Sequence, residues 1–134
     1  MMQKRILVIY GGSNPSGVTI KIQSIMINNL NDIINYSMDF IEDDYTELWV
    51  IVNKIQNENP EFNFESLIEA TKKVVKKLVE KNNVQILSMD TQEIIELDVN
   101  EILQLVEEKF KILGRKPNIG DGIWFTLRVV DKLI

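Results

Sequence analysis

The chain contains no cysteine and no histidine. Without cysteine there is no disulfide framework, no thiolate nucleophile and no zinc–sulfur site. Without histidine, the commonest transition-metal ligand and the usual general acid or base near neutral pH are both missing. A Ser-His-Asp triad is therefore excluded. Any catalysis must rest on carboxylates, lysine, tyrosine, hydroxyls or a borrowed cofactor. Proline is scarce, at 3 residues, and glycine at 6, and they gather into no linker that would divide the chain. No apolar run reaches the roughly 18 residues of a membrane span. The basic start Met1–Arg5 is followed by an apolar run, Ile6–Tyr10, that is too short for a signal peptide. A cytoplasmic location without membrane association is the expectation. Basic charge is also short, with 15 Lys and Arg against 20 Asp and Glu, net −5. Duplex nucleic-acid binders carry a basic surface, so duplex nucleic acid is not an expected partner.

What is present suits one globular domain over residues 1–134: 45% hydrophobic residues and 26% charged ones. The run Arg5–Tyr10 reads as a strand buried on both faces. A helical stripe follows over 18–35, carried by Ile22, Ile25, Met26, Leu30, Ile33 and Ile34. Residues 36–45 fit either a helical extension or an edge strand. Leu48–Val52 reads as a second buried strand, and Val84–Met89 as a third. Amphipathic helices are predicted over 64–82, with Asn63 or Ser66 as N-cap, and over 99–113, with Gly114 just past the end. The tail 120–134 alternates like a strand but also spaces Ile123, Leu127, Val130 and Leu133 like a helix; the helix is preferred. Strand–helix alternation predicts a three-layer α/β domain with a small, mainly parallel sheet.

In such a sheet, ligands bind beyond the carboxyl ends of the strands. The loop Gly11–Thr19 would lie there. Its glycines relax the backbone, and Ser13, Ser16 and Thr19 bring hydroxyls. The amides near Gly17, Val18 and Thr19 would open a helix, whose free N–H groups suit phosphate. Gly12 and Gly17 have Walker A spacing, but Val18-Thr19 stands where Lys-Ser/Thr is required, so a P-loop NTPase is not expected.

Residues 4–19, Lys-Arg-Ile-Leu-Val-Ile-Tyr-Gly-Gly-Ser-Asn-Pro-Ser-Gly-Val-Thr, resemble the first strand and phosphate loop of flavodoxin-like proteins. NADPH-dependent FMN reductases are the nearest version, and Asp43–Val52 is similar to that family's acidic lead-in and central strand. The resemblance implies a Rossmann-like, flavodoxin-like fold. It also implies FMN held at Ser13, Ser16, Gly17 and Thr19. The family's Gly-x-Pro-x-Tyr turn is replaced here by Asn53-Lys54-Ile55-Gln56. The turn Gly12–Gly17 also resembles the nucleotide-sensing Rossmann domains of CRISPR-associated proteins.

The expected ligand site thus comprises Gly12, Ser13, Asn14, Ser16, Gly17, Val18 and Thr19, with Asn53, Lys54 and Asp90 at other strand ends. It would take FMN or a nucleotide. No nucleophile, base and orienting group can be assembled, and no metal site is assigned. Asp39 with Glu42–Asp44 reads as a solvated acidic turn, with a hard cation as the lesser alternative. Lys72, Lys73, Lys76, Lys77 and Lys81 read as a solvated helix face before a binding patch. Trp49 and Trp124 read as core, with Trp124 alternatively in a homodimer interface. The function expected is a small phosphate-ligand-binding domain that is not a self-sufficient enzyme. The alternative is a non-enzymatic interaction or assembly module.

Overall fold

The computed structural model describes residues 25–128. In chain order the elements are α1 (Leu30–Asp43), β1 (Thr46–Glu47), α2 (Leu48–Glu58), α3 (Phe64–Lys81), β2 (Val84–Ser88), β3 (Glu93–Ile95), α4 (Val99–Leu113) and β4 (Trp124–Leu127). The four strands form one sheet in the order β1-β4-β2-β3, and every pairing is antiparallel. This overturns the expected parallel sheet, and with it the Rossmann-like and flavodoxin-like assignments.

The misreading centres on Leu48–Val52. A short apolar run fits a buried strand or a buried helix equally well. The tie is broken downstream: Leu48, Ile51, Val52 and Ile55 fall at helical spacing and are all fully buried. The run is therefore the start of α2, and only Thr46–Glu47 ahead of it is strand. Residues 36–43 extend a helix rather than forming an edge strand, so α1 carries Ile33, Ser37, Met38 and Ile41 inward. Residues 93–95, unplaced by pattern, pair with β2. The tail, preferred as helix, is strand over 124–127; the expected strand Arg5–Tyr10 and the expected loop Gly11–Thr19, like residues 129–134, lie outside the described residues.

Register explains which side chains meet the helices. Ile86 lies opposite Phe125, and Val84 opposite Leu127. These point toward one face and join a single core with Ile33, Ile51, Ile55, Val74, Leu78, Ile102 and Phe110. Successive residues of a strand alternate faces, so Gln85, Leu87, Trp124 and Thr126 point the other way. All four helices contribute to the one cluster, which gives the described residues a helical layer on one face of a sheet.

The helix ends follow local chemistry. Asn63 caps α3 by accepting the Ser66 N–H at 2.8 Å. Asp98 and Glu101 form a reciprocal capping box on α4. Gly114 closes α4 in the left-handed conformation, φ 69°.

One core position is polar without a partner. Thr71 on α3 is fully buried, and its Oγ1 makes no hydrogen bond among the described residues. A buried, unpaired hydroxyl costs stability, while valine fills the same space without it. Thr71→Val is expected to raise the unfolding free energy by about 1 kcal/mol. Urea denaturation checks this, and an unchanged or lower midpoint contradicts it.

Candidate functional site

Gly12, Ser13, Asn14, Ser16, Gly17, Val18 and Thr19 lie outside the described residues. Asn53 and Lys54 lie within helix α2 rather than at a strand end, because the run they follow is helical. Lys54 is engaged locally: its Nζ donates to Glu58 Oε2 at 2.9 Å and sits 4.7 Å from the Tyr36 ring centroid. Asp90 does follow strand β2 and is exposed in the turn toward β3. No hydrogen bond or ion pair joins Asp90 to Asn53 or Lys54 among the described residues. Nor do His, Cys, Asp or Glu side chains there form a group of three able to hold a metal, so Asp39 with Glu42–Asp44 builds no cation site.

A different feature gathers charge. The stretch Lys72-Lys73-Val74-Val75-Lys76-Lys77-Leu78 alternates pairs. Helical geometry sends Val74, Val75 and Leu78 into the core and leaves lysines on the outer side. A groove of about 400 Å³ runs along that side, lined by Lys72, Lys73, Lys76, Lys77, Lys81, Glu69, Glu80 and, from α4, Leu103.

The lysines of this groove are not equivalent. Lys72 is neutralised, because its Nζ donates to Glu107 Oε1 and lies 3.6 Å from Glu69 Oε2. The Lys72–Glu107 pair ties α3 to α4, and within α4 Glu107 also pairs with Lys111 at 2.9 Å. Hydrogen bonds from Lys72 first, then Lys111, hold the Glu107 carboxyl below its ordinary pKa. Lys73 donates to the Ile25 carbonyl at 3.3 Å. Lys76, Lys77 and Lys81 are exposed, and among the described residues none has a carboxylate within ion-pair distance. The groove therefore presents three ammonium groups, unneutralised among the described residues, beside Leu103. Such an arrangement can receive anions; it holds no group poised to activate a nucleophile.

The lysine run was visible in the sequence. Glu107 and Leu103 were not, because their place opposite α3 depends on helix packing across more than thirty residues; the Lys72–Glu107 separation is 35. Only the local Glu107–Lys111 spacing, i to i+4, was available to pattern reading.

The ion pairs also set a pH response. Glu58, Glu96, Glu107 and Asp121 are all held below their ordinary values, each chiefly by a hydrogen bond from a cation: Lys54, Arg128, Lys72 and Arg115 respectively. A depressed carboxylate contributes stability above its unfolded-state pKa and loses it as pH falls through the folded one. No histidine titrates between these values and pH 8. The expected melting temperature changes little between about pH 6 and 8. It then falls progressively below the ordinary Glu value of 4.5. Scanning calorimetry across that range checks it; a maximum below pH 4.5 contradicts it.

No helix among the described residues is long and apolar enough to cross a membrane. Compared with family models, with curated proteins and with solved structures, the chain shows no significant match.

Proposed function

We propose that this protein is a non-enzymatic interaction module whose α3 lysine groove docks an acidic partner. The observation that carries this reading is the trio Lys76, Lys77 and Lys81. These three cations, unpaired among the described residues, are concentrated on one helix of a chain whose net charge is −5. Individual surface charges attract weakly, at about 0.2–1 kcal/mol per pair, so a useful grip needs several acting together. Three lysines within two helical turns meet that requirement. The net negative charge elsewhere disfavours long polyanions such as duplex nucleic acid and favours a short acidic segment that engages only this strip.

The test is a calorimetric titration with a short poly-glutamate peptide at low salt. Binding is expected, and Lys76→Glu combined with Lys77→Glu weakens it about tenfold, roughly 1.4 kcal/mol. Equal binding by wild type and variant overturns the reading. A parallel titration with inorganic phosphate addresses the loop Gly11–Thr19. Phosphate binding lost in Thr19→Ala but retained in the lysine variant places the ligand at that loop instead.

A further inference from the structure

The two margins of the sheet are finished differently. β1 closes one side with two residues, Thr46 and Glu47, both buried. β3 forms the other side, and among the described residues no strand pairs with its outer edge. Its sequence runs Glu93-Ile94-Ile95-Glu96, with both glutamates exposed and Ile95 40% exposed. We propose that this edge takes an extended peptide segment, basic at its ends and apolar at its centre, as an added strand. The surface is separate from the α3 groove and stands without it.

The ladder shows which main-chain groups are open. The Arg128 N–H donates to the Asn83 carbonyl at 2.7 Å. Bonded and non-bonded pairs alternate along an antiparallel ladder. Gln85 and Leu87 therefore exchange bonds with Thr126 and Trp124 of β4. Val84, Ile86 and Ser88 are left to face β3, where Ile86 meets Ile95 and Ser88 meets Glu93. Ile94 lies between these two pairs, so its N–H and carbonyl turn outward. A free donor and acceptor on an edge strand are what strand addition uses.

Just past β3, Leu97 and Asp98 start a groove of about 450 Å³ whose other side is α4, at Asn100, Glu101, Gln104 and Leu105. A peptide laid along β3 runs toward this groove, and an apolar side chain near its end meets Leu97 and the exposed Leu105. Side-chain pockets of this kind give strand addition its selectivity.

Charge decides the partner. From Asn82 to Glu108 the chain has no lysine or arginine. Asp90, Glu93, Glu96, Asp98 and Glu101 are all exposed. Among the described residues only Glu96 of these five has an ion-pair partner, Arg128. Such a margin draws a basic segment. Edge pairing of two copies would instead bring acidic margin against acidic margin, which like-charge repulsion disfavours.

The test adds the end-blocked peptide Lys-Lys-Val-Ile-Val-Lys-Lys to the full chain at about 0.01 M salt, where screening is weak, and follows amide exchange by nuclear magnetic resonance. Exchange at Ile94 is expected to slow about tenfold, and the analogue with glutamate in place of every lysine leaves it unchanged. Ile94→Pro removes a donor that the β2 ladder does not use, and proline is tolerated where an edge N–H faces outward. It is expected to weaken peptide binding about tenfold, and Glu93→Lys at least threefold, with matching melting curves showing that both variants fold. Lys76→Glu with Lys77→Glu binds this peptide at least as tightly as wild type, which separates the edge from the α3 groove. Absence of binding, or equal binding by wild type and both edge variants, overturns the proposal. An Ile94 amide already slow in the peptide-free monomer shows the edge filled by the chain's own residues. A peptide-free dimer with that amide slow shows it filled by a second copy. Either result overturns the proposal too.

Discussion

Replacing Asn59 by alanine is expected to lower the unfolding free energy by about 2–3 kcal/mol, a large share of a small domain's total. Asn59 is fully buried at the end of α2. Its Oδ1 accepts the Asn28 N–H at 2.8 Å, and its Nδ2 donates to the Asn28 carbonyl at 3.3 Å and the Ile55 carbonyl at 3.1 Å. One side chain thus satisfies both main-chain groups of Asn28, across 31 positions, and fastens the entry to α1 onto the finish of α2. Alanine takes this partner from the Asn28 N–H and carbonyl and one of two donors from the Ile55 carbonyl, which keeps the Asn59 N–H at 2.9 Å, and empties a fully buried polar position. The expected readout is a urea midpoint lowered by about 1–2 M with an unchanged slope. Asn59→Asp is expected to be at least as damaging, because a carboxylate would face two carbonyl oxygens. A shift below about 0.5 kcal/mol, the range of ordinary surface changes, would show that the fastening does not matter.

Glu47→Ala is expected to cost about 2–4 kcal/mol. Glu47 is only 3% exposed, although it is a charged residue at a sheet margin. Its two carboxylate oxygens accept the main-chain N–H groups of Gly120 at 3.1 Å and Gly122 at 2.6 Å. Hydrogen bonds to an ionised group are worth roughly twice neutral ones. They hold the connection between α4 and β4 in a shape that includes left-handed backbone at Gly120, Gly122 and Ile123, with φ of 88°, 103° and 65°. The glycines take that conformation readily. For a β-branched isoleucine it is strained, and the Ile123 carbonyl is fixed there by accepting the Leu48 N–H at 2.9 Å. Glu47→Gln keeps the size and one good acceptor, so its expected loss is about half that of alanine. Hydrogen exchange at Gly120 and Gly122 is the direct readout: both amides exchange faster in Glu47→Ala. Unchanged protection at both would remove Glu47 from this role.

These two residues show why part of the fold was legible and part was not. The helices α3 and α4 were readable because the information is local. A 3.6-residue stripe, Asn63 as cap and Gly114 at the far end each act within a turn or two. The Asp-x-x-Glu box at Asp98–Glu101 was equally local and went unread. Leu48–Val52 was misplaced because five apolar residues satisfy either geometry, and the deciding residue, Ile55, falls beyond the run. The parallel sheet was inferred from alternation alone, and alternation does not specify which strand sits beside which. That depends on pairs such as Thr46 with Phe125, which no local pattern encodes. The functional surface divides in the same way. The lysines of α3 stood out in the sequence, but Glu107, which removes Lys72 from the available set, is supplied by packing.

The sheet order has a consequence for biosynthesis. β4 lies between β1 and β2, yet it follows both in the chain, and Glu47 must wait for a glycine 73 positions later. Synthesis proceeds at about 5–20 residues per second, so for several seconds the emerging polypeptide carries two strands whose shared neighbour does not yet exist. Helical pairs such as α1 with α2, and the β2–β3 pair, can form during that interval, but the sheet cannot yet join β1 to β2. A nascent chain stalled before Trp124 would accordingly leave the edges of β1 and β2 that β4 covers open to any other strand nearby.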